Sequence, residues 1–165
     1  MSDSVSNMHI CLVGPIPPPA GGMANQTRQL KALLQQDGAT VELVAVNAPY
    51  RPAFAGRIVG LRALFRLVPY IINLYQAVGR AQVVHIMANS GWSWHLFAAP
   101  AIWLSYLRRT PVIVNYRGGH AETFFAASWR KVRFSLRHAS AVLVPSAFLQ
   151  QVFASYAQPS AIVPN

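Results

Sequence analysis

MHICLVGPIPPPAGGMANQTRQLKALLQQ, residues 8–36, sets the architecture of the chain. His9 to Val13 is a short apolar run of the kind that a strand buried on both faces presents. Gly14-Pro15 ends it, and a stiff proline segment, Ile16 to Pro19, follows. Gly21-Gly22 then opens a helical pattern that begins near Met23. The first turn of a helix leaves N–H groups free and carries partial positive charge, so it suits a phosphate or another anion. Glycines let a ligand come close to the backbone. The same letters also describe an ordinary β–α connection whose glycines only make a turn. The spacing is not G-x-G-x-x-G, and no acid follows Thr40 to Val46 where a ribose would need one. A dinucleotide is therefore not the expected ligand.

Outward from this stretch, strand and helix patterns alternate. Asp37-Gly38 stops the first helix, and Thr40 to Val46 reads as the second strand. Phe54 to Arg80 is a long amphipathic stretch. Leu61, Leu64, Phe65 and Val68 share one face, Arg62 and Arg66 another, and Pro69 is expected to kink or split it. Gln82 to Met87 is the third strand, with His85 read as a core or strand-end residue. Trp94 to Leu107 is an apolar helix ending in Arg108-Arg109, and Val112 to Tyr116 is the fourth strand. Phe124 to His138 is a basic helix, Ala141 to Val144 the fifth strand, Ala147 to Tyr156 a helix, and Ser160 to Val163 a last short strand. The pattern predicts an α/β fold: a Rossmann-like, doubly wound, mostly parallel sheet with helices on both faces. Residues 1–7 read as a loose tail and residues 8–165 as one domain.

Composition narrows the function. The 165 residues are 53% hydrophobic and only 11% charged, which excludes a disordered chain. Leu96 to Leu107 is too short to span a membrane, and Val59 to Val78 is interrupted by Arg62, Arg66 and Pro69. Met1 to Asn7 lacks the basic start of a signal peptide. The single cysteine, Cys11, lies in the first strand and reads as a small buried hydrophobe, which fits a reducing compartment. Fourteen Lys+Arg stand against four Asp+Glu, a net charge of +10 that calls for anionic partners. The candidates are nucleic acid, an anionic membrane met by the arginines of the Phe54 to Arg80 stretch, and phosphorylated substrates. His9, His85, His95, His120 and His138 show no ligand spacing, so no metal site is expected.

In open α/β sheets, ligands bind beyond the carboxyl ends of the strands. Three loops with unusual chemistry leave those ends: Pro15 to Gly22, Ala88 to Ser93 and Arg117 to Glu122. They carry Gly21, Gly22, Asn89, Ser90, Arg117, Gly118, Gly119, His120 and Glu122, the candidate site. Glu122 also suits the first turn of a helix on electrostatic grounds alone.

Five segments in order, HICLVGPIPPPAGGMANQTRQL, VVHIMANSG, PVIVNYRGG, AVLVPSAFL and the terminal AIVPN, resemble the N-terminal domain of a retaining glycosyltransferase of family 4. That family has the two-domain GT-B fold. The resemblance covers Met8 to Asn165 and implies an acceptor-binding half whose partner domain would hold the nucleotide-sugar donor. No E-x7-E motif, which marks the donor domain, occurs here, so the expectation is a domain that does not transfer sugar by itself. Gly21 and Gly22 match glycines that approach the donor diphosphate or the transferred sugar. Asn89 to Gly91 would border the acceptor, a glycan or a polyprenyl-diphosphate-linked sugar. The family often places His-Gly where this chain has Arg117-Gly118, with His120 two residues after Gly118. Arg117 is suited to a phosphate. His120 would act as hydrogen-bond donor or proton shuttle, and Glu122 would orient His120 or bind an acceptor hydroxyl. The implied chemistry needs no metal, no cofactor beyond the nucleotide-sugar co-substrate, and no enzyme nucleophile. The expected location is cytoplasmic, peripheral on the inner face of the plasma membrane, the membrane part resting on the net charge of +10 and the arginines of the Phe54 to Arg80 stretch. Two other readings stay open: a basic nucleic-acid-binding module using Arg130, Lys131, Arg133 and Arg137, which lacks a reader motif, and half of a GT-B nucleotide-sugar epimerase.

Overall fold

A computed structural model describes residues 5–50, 54 and 62–164. Six strands form one all-parallel sheet: β1 (His9–Gly14), β2 (Thr40–Ala45), β3 (Val83–Ala88), β4 (Val112–Tyr116), β5 (Ala141–Val144) and β6 (Ala161–Ile162). Their spatial order is β2-β1-β3-β4-β5-β6. Helices α1 (Gly22–Gln36), α2 (Arg62–Arg80), α3 (Ala99–Leu107), α4 (Ala121–Leu136) and α5 (Ala147–Ser155) connect them. The predicted doubly wound α/β architecture is the one observed.

The two faces of the sheet are covered unequally. Right-handed crossovers fix the side on which each helix lies. The step from β1 out to β2 puts α1 on one face. Every later step runs the other way across the sheet and puts its helix on the opposite face. The cores follow this division. Ile10, Leu12, Val41 and Met87 pack with Met23, Leu30 and Leu34 of α1. Cys11, Val13, Val84, Ile86, Val112, Val114, Tyr116, Val142 and Val144 point the other way, onto α2 to α5. Alternation along β1, β2 and β3 divides their side chains between the two cores.

Cys11 is fully buried, and burial, with the Glu42 carboxylate second, pushes its thiol up to about 12, as suits a packing residue. Val5 packs against the smaller core, and the Asn7 amide donates to the Gly38 carbonyl at 3.0 Å.

Two helices depart from the sequence expectation. Residues 55–61 of the Phe54 to Arg80 stretch, Leu61 among them, lie outside the described residues. From Arg62 to Arg80 the helix runs on through Pro69 without splitting. Pro69 is exposed, so the donor that the Phe65 carbonyl loses is missing on the side of the helix away from the core. The buried face of α2 is Tyr70, Leu74, Ala77 and Val78, while Leu64 and Val68 are exposed. The apolar Trp94 to Leu107 stretch opens with a π-helical turn, Trp94–Ala98, before α3. Pro100 has no N–H for the Leu96 carbonyl. The Ala99 amide donates to the Trp94 carbonyl five residues back, and the Tyr70 hydroxyl donates to the Phe97 carbonyl at 2.7 Å.

An aromatic cluster joins β4, α4 and α5. The Phe125 ring lies 5.3 Å from Tyr116, 5.1 Å from Trp129 and 4.9 Å from Phe153. Tyr116, Phe125 and Phe153 are wholly buried. Replacing Phe125→Ala should destabilise the domain by about 3–5 kcal/mol, because the cavity is walled by stiff rings that collapse poorly. Urea unfolding at constant m checks this.

Candidate functional site

The change of winding direction falls between β1 and β3, which lie side by side. The loop after β1 leads to α1 on one face, and the loop after β3 leads to the π turn on the other. A crevice opens there, beyond the carboxyl ends of the strands. A pocket of 130 Å³ occupies it, lined by Pro15 and Met23 from the first loop, Val46 after β2, and Asn89, Ser93 and Phe97 after β3.

The proline loop is held rigidly. Asn47, just past β2, accepts from the Ile16 amide at 2.9 Å and donates to the Ile16 carbonyl at 2.7 Å. Beyond the loop, Gly21 is the N-cap of α1 and offers no side-chain oxygen to the first-turn amides. A Cβ built on either Gly21 or Gly22 would meet nothing within 4 Å. These glycines are therefore not needed for packing, and the helix N-terminus lies open.

The second and third loops are locked together. Ser90 Oγ donates to the Gly119 carbonyl at 2.6 Å and shares a 2.7 Å hydrogen bond with the Tyr116 hydroxyl. The Arg117 amide donates to the Ala88 carbonyl at 2.9 Å, extending the β3–β4 ladder into the loops. Gly118 sits in the junction. A Cβ there would press into Ser90 Oγ, at 2.6 Å from the Ser90 amide nitrogen and 2.8 Å from the Tyr116 hydroxyl. Burial pushes the Tyr116 phenol up to about 12, against the opposing pull of the Ser90 bond, so it stays a neutral hydroxyl.

Arg117 lies on the other side of β4. Its Nε donates to Asn115 Oδ1 at 3.0 Å, and Asn115 Nδ2 stands 3.2 Å from His85 Nε2. Burial first, and the Arg117 charge second, bring the His85 imidazole down to about 4. A neutral imidazole lets Nε2 accept from the Asn115 amide. Burial also lowers Arg117 from its ordinary value. A guanidinium nevertheless stays charged at neutral pH.

His120 caps α4 from the left-handed region, at φ 52°, and its side chain makes no capping hydrogen bond. Among the described residues no hydrogen bond joins His120 to Glu122. Glu122 instead lines a groove of 300 Å³ with Phe148, Gln151, Ser155 and Tyr156 of the α5 region.

The structure thus brings Ser90, Gly118 and Gly119 into direct contact and places Asn89 on the wall of the pocket that Pro15 also lines. Gly21 and Gly22 stand at the open α1 terminus, and Glu122 faces a separate groove. Sequence reasoning missed Tyr116, Asn115 and Asn47, which hold these loops. It also passed over Trp92, 78% exposed, which lines a groove with Gly91, His95, Phe124 and Lys131. A polar residue closing an apolar strand (VIVNY) is the one signal that could have pointed to Asn115. Among the described residues, no three His, Cys, Asp or Glu side chains converge as metal ligands would.

Two comparisons bear on this geometry. A family model described as a glycosyl transferase 4-like domain matches residues 21–165. No curated protein matches the chain.

Gly118→Ala should cost about 1–3 kcal/mol and separate the two loops, because the added methyl meets backbone as well as side chain. Gly21→Ala and Gly22→Ala should leave the melting temperature within a few degrees. A second outcome concerns pH. The unfolded chain protonates His85 near its ordinary value of about 6.5, while the folded protein keeps it neutral down to about 4. Between those values the unfolded state binds more protons, so stability is full above about 6.5 and falls as pH drops toward 4. In His85→Gln this acid limb should be shallower, as urea midpoints across that range would register.

Proposed function

The chain belongs to the glycosyl transferase 4-like family, and from that premise we propose that it is the acceptor-binding half of a retaining hexosyltransferase. The donor is a nucleotide sugar held by a second domain outside these residues. The acceptor is a glycan or a polyprenyl-diphosphate-linked sugar.

The observation that carries this reading is the locked pair of loops at the carboxyl edge, Asn89-Ser90 against Gly118-Gly119, beside the open N-terminus of α1. A ligand entering the crevice meets rigid backbone, since Ser90, Tyr116 and Asn47 have already fixed the loops. Such preorganisation lowers the entropic cost of holding an acceptor hydroxyl in line with a donor carbon.

Each candidate has a part to play. The bare first-turn amides at Gly21-Gly22 receive the diphosphate charge once the donor domain closes. Arg117, oriented by Asn115 through Nε, pairs with a phosphate. His120, at the mouth of α4 without a capping bond, donates to the sugar or passes a proton. Glu122, in its groove beside α5, accepts from an acceptor hydroxyl. Transfer takes place on the front face of the donor without an enzyme nucleophile, so no Ser-His-Asp or Cys-His arrangement is required. The reaction needs no metal, because the arginine and the helix terminus provide the positive charge.

The test is binding by this chain alone. A water-soluble short-chain prenyl-diphosphate sugar should shift the amide resonances of Ser90, Gly118 and Gly119, and Gly119→Trp should remove the effect without lowering the melting temperature. UDP- and GDP-sugars should bind at least about tenfold more weakly, since their main contacts lie in the other domain. Tighter binding of a nucleotide sugar than of the acceptor would refute the assignment, as would sugar transfer catalysed by the 165 residues alone.

A further inference from the structure

Helix α2 has more apolar surface than the core uses. Tyr70, Leu74, Ala77 and Val78 are 0–3% exposed and complete its contact with the sheet. Leu64, Val68, Ile72 and Tyr75, at i, i+4, i+8 and i+11, form a second stripe that is 48–55% exposed. The stripe is about 16 Å long. Among the described residues, no helix is long and apolar enough to cross a membrane, so the stripe is not part of a span.

The edge of the stripe is built for a charged interface. Arg108, at the C-terminal end of α3, lays its guanidinium over the Tyr75 ring at 4.5 Å. Gly79, one turn beyond Tyr75, leaves the space for it, since a Cβ there would collide with Arg108 Nη2. Arg109 and the 69%-exposed Leu107 flank this contact. Arg62 is exposed at the other end of α2. The other α2 arginines are engaged elsewhere: Arg66 lies over Tyr50 and Arg80 pairs with Glu42. Neither α2 nor α3 contains an acid.

We propose that the outer face formed by α2 and the end of α3 docks the protein onto an anionic bilayer surface, with Leu64, Val68, Ile72 and Tyr75 entering the headgroup–acyl boundary and Arg108, Arg109 and Arg62 meeting lipid phosphates. An apolar stripe beside cations that no acid neutralises is what a shallow interfacial site requires. The Arg108–Tyr75 stack keeps the cation and the aromatic ring at one depth, where both are favoured. The net charge of +10 adds long-range attraction to the same surface. This inference does not depend on the acceptor-binding reading, because attachment is measured without transfer.

Sedimentation of the chain with vesicles of phosphatidylcholine, with and without phosphatidylglycerol, tests it. Affinity for the anionic vesicles should be at least about tenfold higher. Val68→Glu/Ile72→Glu should lower it by about tenfold or more, and so should Arg108→Glu. Arg28→Glu removes the same charge from exposed α1 on the opposite face of the sheet and should change it by less than about threefold. Val68→Ser/Ile72→Ser gives the same readout should the glutamates perturb folding by circular dichroism. Equal binding to both vesicles, equal losses in Arg108→Glu and Arg28→Glu, or a dimer in solution that Val68→Glu/Ile72→Glu dissociates would each overturn the proposal.

Discussion

The handedness of the parallel crossover governs this molecule. With strand order β2-β1-β3-β4-β5-β6, only one connection runs outward past β1, and all the others run the opposite way. Among the described residues, one α-helix therefore covers one face and four cover the other. The reversal between β1 and β3 parts the loops that follow them and opens the crevice. Nothing in the chemistry of the loops creates that opening; their residues only line it.

Once the crevice exists, β4 supports it from both sides. Its alternating side chains place Tyr116 toward α4 and α5, and Asn115 and Arg117 toward the other face. Tyr116 shares a hydrogen bond with Ser90 and sits within the aromatic cluster, so the loops at the sheet edge are braced by the core. Asn115 bridges the neutral His85 and the charged Arg117. The absence of a side chain at Gly118 lets these arrangements coexist. This bracing fixes the loops that line the crevice relative to one another.

Charge is distributed to a different end. Four acids cannot neutralise fourteen Lys and Arg, so most of the cations have no carboxylate to pair with. Glu42 pairs with Arg80 and stands 3.7 Å from His9. Among the described residues, Arg80, Arg108, Arg133 and Arg137 lie in the last turns or at the C-caps of helices, where the dipole favours them. Combined with the surplus apolar stripe of α2, that distribution separates a surface face from the ligand edge of the same domain.

Much of the fold was legible in the sequence. Apolar runs bounded by Gly, Pro and Asp-Gly marked every strand, and Val112 to Tyr116 and Ala141 to Val144 have the boundaries expected of them. Local signals of this kind act within a few residues, so they survive without tertiary context. The loops that carry the candidate site were legible for the same reason, since glycine pairs at strand ends are visible in one dimension.

Contacts across the sheet were not. Ser90 with Tyr116 and Gly119, Asn47 with Ile16, and His85 with Asn115 join residues 26 to 31 positions apart, and no spacing rule connects them. The course of α2 through Pro69 and the face of α2 turned to the core depended likewise on neighbours. An apolar pattern wide enough for two faces does not say which one the sheet will take. Sequence alone determined an alternating α/β chain with glycine-rich strand ends and a strong positive charge, because propensity and composition are local properties. Tertiary structure decided which of those ends meet, which helix face stays outside and which arginines remain for a partner, because these follow from packing between distant segments.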